Sequence, residues 1–312
     1  MRTSEETLTS RDGLALPTRT WLPDEPGEER AALVLIHGLG EHVGRYDALA
    51  TRLAAEGYAV HGYDQRGHGS AEGPRAQVDR FEQLVDDLGE VVAHVRAAHP
   101  DRPLVLFGHS MGGVVALRAA QAGVVEPDAL LLSSPALSVG GDAPGWLRAL
   151  LTRVAGPFPG LPTKPVDVSA LSRDPAVVEA YRQDPRVFHG PVKARMATEL
   201  VRAGAAALAD AVASADARVL GSAVASVDAS ASTGAARGET PVLIVHGRED
   251  RIAHPGASAE LHRALVGRDA TLELYDDGPH ELFNDPLRER VLGDVLGWLD
   301  ARLDGRLDGR LG

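Results

Sequence analysis

Short runs rich in Val, Ile, Leu and Ala recur along the chain at 31–36, 58–60, 104–107, 129–132, 241–245 and 271–275. Each is too brief for a helix of ordinary length and reads as a strand covered on both faces. Between the runs the period changes. Phe81, Leu84, Val85, Leu88, Val91, Val92 and Val95 fall at steps of one, three and four and set an apolar stripe along a helix. Strand and helix patterns in alternation predict βαβ units with right-handed crossovers and a mostly parallel central sheet flanked by helices. Residues 7–22, with Asp12-Gly13 near their middle, predict an antiparallel hairpin at the sheet edge.

The alternation stops between 137 and 239. Glycines and prolines at 140, 141, 144, 145, 157, 159, 162 and 165 punctuate the first half, and Trp146, Leu147, Leu150, Leu151 and Val154 mark a short amphipathic helix. This stretch predicts a helical cap inserted after the sixth strand. Its end, 203–239, is rich in Ala, Ser and Gly, with helix expected over 203–218 and a mobile loop over 226–238. The α/β core is accordingly assigned to 1–136 and 240–302. The repeated Leu-Asp-Gly-Arg of 303–306 and 307–310 is expected to belong to a disordered tail, 303–312.

Composition narrows the chemistry. With no cysteine among 312 residues, disulfides, Cys-type zinc sites and thiol nucleophiles are excluded. A formal charge of -12 would repel a phosphate backbone, so nucleic acid is not an expected partner. The charged first residues and the short apolar runs suit neither a signal peptide nor a membrane span, and a cytoplasmic location is expected. No oligomeric state is specified.

The run 104–107 leads into Gly108-His109-Ser110-Met111-Gly112-Gly113 and then an apolar helical stretch. A serine at a sharp strand-to-helix turn, with glycine two residues before and after it, forms an elbow that presents a nucleophile. A glycine-rich turn in which the serine merely caps the helix is the plainer reading. A hydroxyl needs a base to remove its proton and an acid to orient that base, in the chain order Ser, Asp, His for this type of sheet. Asp250 follows the run 241–245 and His280 follows 271–275, so both fall in loops at the same sheet edge as Ser110. Glu249 and Asp142 are the alternative acids, whereas Asp276 and Asp277 are too near His280 along the chain. His61, His94, His99 and His262 read as surface or core residues, and His246 and His109 as loop supports.

Acyl chemistry also needs backbone N–H donors for the developing oxyanion. Met111, the residue after the nucleophile, supplies one, and Leu39, between Gly38 and Gly40 after the run 31–36, is expected to supply the other. Gly38, Gly40 and Gly44, with Asp64 beyond the next run, also imitate a dinucleotide fingerprint, but Val43 occupies the place of the third glycine. No cofactor is therefore expected. No metal is expected either, since no ligand pair at helical spacing appears.

Taken together, His37-Gly38-Leu39-Gly40-Glu41-His42, Gly44-Arg45-Tyr46, Asp64-Gln65-Arg66-Gly67-His68-Gly69, the elbow, Leu171-Ser172-Arg173, Tyr181-Arg182-Gln183-Asp184-Pro185 and Gly278-Pro279-His280-Glu281 resemble the monoacylglycerol lipase and lysophospholipase branch of the α/β-hydrolases, over about 14–302. The resemblance implies an α/β-hydrolase fold with a cap over an acyl tunnel. It also implies a polar end for glycerol or a similar alcohol, built from Glu41, Arg45, His109 and Tyr181. Arg45 could instead merely pair with Glu41, and Tyr181 merely anchor the cap. Phe283 departs from relatives that carry a second histidine there.

The expected activity is serine-dependent hydrolysis of a small lipid ester, monoacylglycerol foremost, to an alcohol and a fatty acid. A lysophospholipase, a broad short-chain carboxylesterase and a catalytically idle binding protein on the same fold are the alternatives. Dehalogenases and epoxide hydrolases need a carboxylate where Ser110 stands. The apolar face of the 146–154 helix could rest transiently on a membrane surface, or equally pack on the protein's own core.

Overall fold

Successive residues of a strand point to opposite faces, and here each face meets its own layer of helices. The computed structural model describes residues 1–25, 27, 29–138, 160–163, 166–224 and 240–307, with the side chains of all these except 215–224 and 304–307. The strands are β1 (Arg2–Thr9), β2 (Ala15–Leu22), β3 (Ala31–Ile36), β4 (Tyr58–Tyr63), β5 (Leu104–His109), β6 (Ala129–Ser133), β7 (Val242–Gly247) and β8 (Ala270–Tyr275). They form one sheet in the order β1-β2-β4-β3-β5-β6-β7-β8. β1 and β2 pair antiparallel, as do β2 and β4, and every later pair is parallel. The hairpin expected from residue 7 starts at Arg2, its turn held by Gly13 at φ 89° and by the Leu14 N–H, which donates to Ser10 Oγ at 2.8 Å.

Ala32, Val34, Ile36, Leu104 and Leu106 face one layer, formed by α2 (Glu82–Ala98), α3 (Met111–Gln121), α5 (Ala194–Val224) and α6 (Pro255–Ala264). Leu33, Leu35, Val105 and Phe107 face the other, formed by α1 (Asp47–Ala55) and α7 (Arg288–Leu307). Burial of these apolar side chains on both sides is the main force holding the sheet between the layers.

Beyond β6 the described cap includes a 3-10 turn at Val168–Ala170, α4 (Pro175–Gln183) and α5. Side chains fasten it to the loop after β8: Ser172 Oγ donates to the Asn284 carbonyl at 2.8 Å, and Arg173 pairs with the buried carboxylate of Asp285 at 2.6 Å. The helix expected over 203–218 is in fact one helix of 31 residues, starting at Ala194. The tail expected from 303 is also corrected: α7 runs on to Leu307 and Leu303 is fully buried, because that residue completes the helix's apolar stripe against the second core. The 146–154 helix, Asp142, the 226–238 loop and 308–312 lie outside the described residues. Among the described residues no helix is long and apolar enough to cross a membrane.

Candidate active site

β5 ends at His109, and Ser110 turns the chain into α3 with φ 53° and ψ -116°, a conformation rarely adopted by residues with a side chain. The flanking glycines make that turn sterically feasible. A Cβ on Gly108 would stand 2.3 Å from the Gly112 carbonyl oxygen, and one on Gly112 would stand 2.1 Å from that of Ile36. Strand and helix therefore touch through backbone alone, and Ser110 is left at the apex.

Loops from β7 and β8 bring the other two groups to the same edge. His280 Nε2 lies 3.0 Å from Ser110 Oγ, and His280 Nδ1 lies 2.6 Å from Asp250 Oδ2. With Nδ1–H donating to the carboxylate, Nε2 is left to accept the serine proton. Asp250 Oδ1 accepts the Ile252 and Ala253 N–H groups at 2.8 and 2.9 Å, so the carboxylate is fixed from both ends. Burial alone would raise the Asp250 pKa, but His280 and hydrogen bonds from His246 and His280 hold it far below the ordinary carboxylate range. Burial likewise disfavours the His280 cation, yet Asp250 outweighs it and the imidazole pKa is raised.

The glycine loop after β3 runs beside the elbow: a Cβ on Gly38 would lie 3.2 Å from Ser110 Cβ. Leu39 follows that close approach, and Met111 is the first residue of α3, where helix N–H groups lack partners within the helix. The two residues expected to supply oxyanion donors are thus the chain neighbour of Ser110 and the chain neighbour of Gly38, whose backbone borders it.

Glu41, Arg45, His109 and Tyr181 converge near this point. Arg45 Nη1 donates to Glu41 Oε2 at 2.5 Å, its guanidinium carbon sits 4.7 Å from the centre of the Tyr181 ring, and the His109 ring centre is 4.9 Å from that of His280. Burial would raise the Glu41 pKa, but Arg45 and the neighbouring His109 and His37 bring it down to about 2. Burial, reinforced by His280, pushes His109 down to about 4, so it stays neutral beside His280. Tyr181 is at once a cap anchor, packed with Leu171 and Val187, and a wall of this polar cluster.

The rival acids separate. Glu249 is exposed, and Asp276 pairs with Arg248 at the surface. Asp64, which imitated a ribose ligand, is consumed by backbone: its two oxygens accept the Val43 and Ser70 N–H groups at 2.9 and 2.8 Å. Phe283 points away from the cluster and meets Phe107 edge-on in the second core, with ring centres 5.2 Å apart. Among the described residues no group of acidic and histidine side chains could hold a metal ion.

One participant was not singled out by sequence: Glu281 forms two hydrogen bonds with Arg45, each 2.7 Å. His246, expected to support a loop, bonds Asp250 at 3.0 Å. The adjacency of Glu281 to His280 was a signal, but its partner is 236 residues away along the chain.

A profile described as "Serine aminopeptidase, S33" matches residues 27–287. The monoacylglycerol lipase of Mycolicibacterium smegmatis is 32% identical over 296 residues, covering 95% of this chain and 96% of that protein. The monoglyceride lipase of Rattus norvegicus is 29% identical, covering 95% and 90%. The crystal structure of Paleococcus ferrophilus monoacylglycerol lipase superposes with a TM-score of 0.70 at 26% identity, covering 97% of this chain and all of that one.

Proposed function

Because this chain belongs to the serine aminopeptidase S33 family and is a serine ester hydrolase of the α/β-hydrolase fold, we propose that it cleaves monoacylglycerol to glycerol and fatty acid, with Ser110, His280 and Asp250 as the catalytic triad. The observation that carries this reading is the unbroken line of hydrogen bonds from Ser110 Oγ through His280 to Asp250.

In the proposed mechanism Ser110 Oγ attacks the ester carbonyl carbon as its proton passes to His280 Nε2. Asp250 holds the imidazole's tautomer and stabilises the imidazolium, while the Leu39 and Met111 N–H groups receive the oxyanion. His280 then returns the proton to the departing glycerol oxygen. The acyl group remains on Ser110 until water, activated by the same histidine, releases the fatty acid and restores the hydroxyl. Glu41, Arg45, His109 and Tyr181 are proposed to meet the alcohol end. An uncharged polyol suits this cluster, since Glu41 and Glu281 against one Arg45 leave it an excess negative charge.

Comparison of kcat/KM for a monoacylglycerol, a triacylglycerol, a lysophosphatidylcholine and a short nitrophenyl ester tests the substrate. The monoacylglycerol is expected to be hydrolysed best. A lysophospholipid or the short ester in first place would replace it with that alternative.

A further inference from the structure

Glu281 stands directly after His280 and reaches back across the site to the glycine loop. Its two oxygens take the two terminal nitrogens of Arg45, Nη1 to Oε1 and Nη2 to Oε2, both at 2.7 Å. The same Arg45 Nη1 donates to Glu41 Oε2, and Glu41 Oε1 in turn accepts the Gly38 N–H at 2.6 Å and the Tyr46 hydroxyl at 2.7 Å. A line of charged and polar contacts therefore runs from the base, His280, to the residue before Leu39. A third tie goes to the cap, where the Glu281 N–H donates to the Leu171 carbonyl at 2.9 Å.

We infer that Glu281 is a positioning residue that clasps the histidine loop to the glycine loop through Arg45 and so sets where His280 and the Leu39 N–H stand relative to Ser110. The inference rests on the proposed triad. The three charged side chains are 9%, 4% and 5% exposed, so the cluster is almost wholly withdrawn from water. A buried ion cluster is a poor source of net stability, because apolar residues of similar volume often serve as well or better. What a planar, two-pronged arginine–carboxylate contact supplies is a fixed distance and angle between the elements that carry it. Here those elements are the two loops that must converge on one reacting carbonyl, where a misplacement of about 1 Å can cost roughly 10²-fold in rate.

The electrostatics act in the same direction. The charged or titratable groups around His280 are Asp250 from the β7 loop, Glu41 and Arg45 from the glycine loop, His109 from the end of β5, and Glu281 itself. Glu281 favours the cationic form of His280 alongside the larger influence of Asp250.

The test is Glu281→Gln in the full-length protein, assayed on monoacylglycerol across pH, with Arg45→Lys as a second variant that keeps the charge but loses the fork. Both are expected to lower kcat by about 10-fold to 100-fold, Glu281→Gln with little change in KM. Glu281→Gln should also move the acid limb of kcat/KM to lower pH. Either variant that retains wild-type kcat, or a Glu281→Gln protein that loses only thermal stability with its pH profile unmoved, would overturn the clasp. Ser110→Ala is measured alongside: turnover by that variant would unseat the triad itself, whereas an inert Ser110→Ala beside an unaffected Glu281→Gln would unseat only the clasp.

Discussion

His246 and His280 bond the same oxygen of one carboxylate, Asp250 Oδ2, at 3.0 and 2.6 Å. The neighbours of His246 Nε2 are that oxygen and the Ala253 carbonyl at 3.1 Å, so Nε2 must carry a proton, and Nδ1 accepts from the Ser258 hydroxyl at 2.7 Å. Asp250 is thus oriented by a second, fully buried imidazole that never reaches Ser110. His246→Leu is expected to lower kcat about tenfold or more, since a hydrogen bond to a charged group is worth roughly 1.5–3 kcal/mol. KM should hold, and a steady-state kcat equal to wild type would remove His246 from the orienting set.

The balance at His280 gives a pH dependence with a definite sign. In the proposed mechanism the neutral imidazole is the base, and its pKa is raised above the ordinary 6.5 because Asp250 outweighs burial. Activity should therefore be lost as pH falls through a midpoint above that value. Asp250→Asn removes the counter-charge, so the midpoint should move downward while kcat drops by about 10⁴-fold, the scale of the same change in a serine protease triad. An upward move of the acid limb would show that another group sets it.

The strands, the elbow and the order Ser110, Asp250, His280 were legible because each depends on local pattern: an apolar run, a glycine pair, a polar residue just past a strand. The clasp was not, since Arg45 and Glu281 meet only when two distant loops fold over one sheet edge. Residues 203–218 show a different limit. Small side chains carry little apolar signal, yet Ala203, Ala207 and Ala211 are buried at four-residue steps, and smallness is what lets this helix come close. A Cβ on Gly204 would stand 2.6 Å from the Leu137 carbonyl oxygen. Arg66, in the motif that resembled the hydrolases, gave no hint of being structural until its partners were seen.

The backbone at Ser110 stores strain that glycine would relieve. At φ 53° and ψ -116° a side chain is disfavoured, at a cost of about 1–3 kcal/mol. Ser110→Gly and Ser110→Ala should both be inactive, but the glycine variant should be the more stable by about 1 kcal/mol after its own entropy cost. Denaturant melts of the two proteins measure this directly. Equal midpoints would mean that the elbow is not strained.

Arg66 grips Asp87 with two hydrogen bonds of 2.6 Å and Asp12 with two more of 2.8 and 3.0 Å, joining the β4 loop to α2 and the first hairpin. The Asp87 carboxylate is buried. Arg66→Met would leave that charge without its partner and should destabilise the fold by about 3–5 kcal/mol. Restoring neutrality with Asp87→Asn in the same chain should recover part of the loss in urea unfolding, and no recovery would show that the charge is not the cause.

The central claim, that Ser110 forms the acyl-enzyme, is tested most directly by intact-protein mass after treatment with a fluorophosphonate ester. Wild type should gain one adduct, mapped to Ser110, and lose all monoacylglycerol hydrolysis in step with it, while Ser110→Ala gains none. An adduct on another residue, or hydrolysis that survives complete modification of Ser110, would contradict the account.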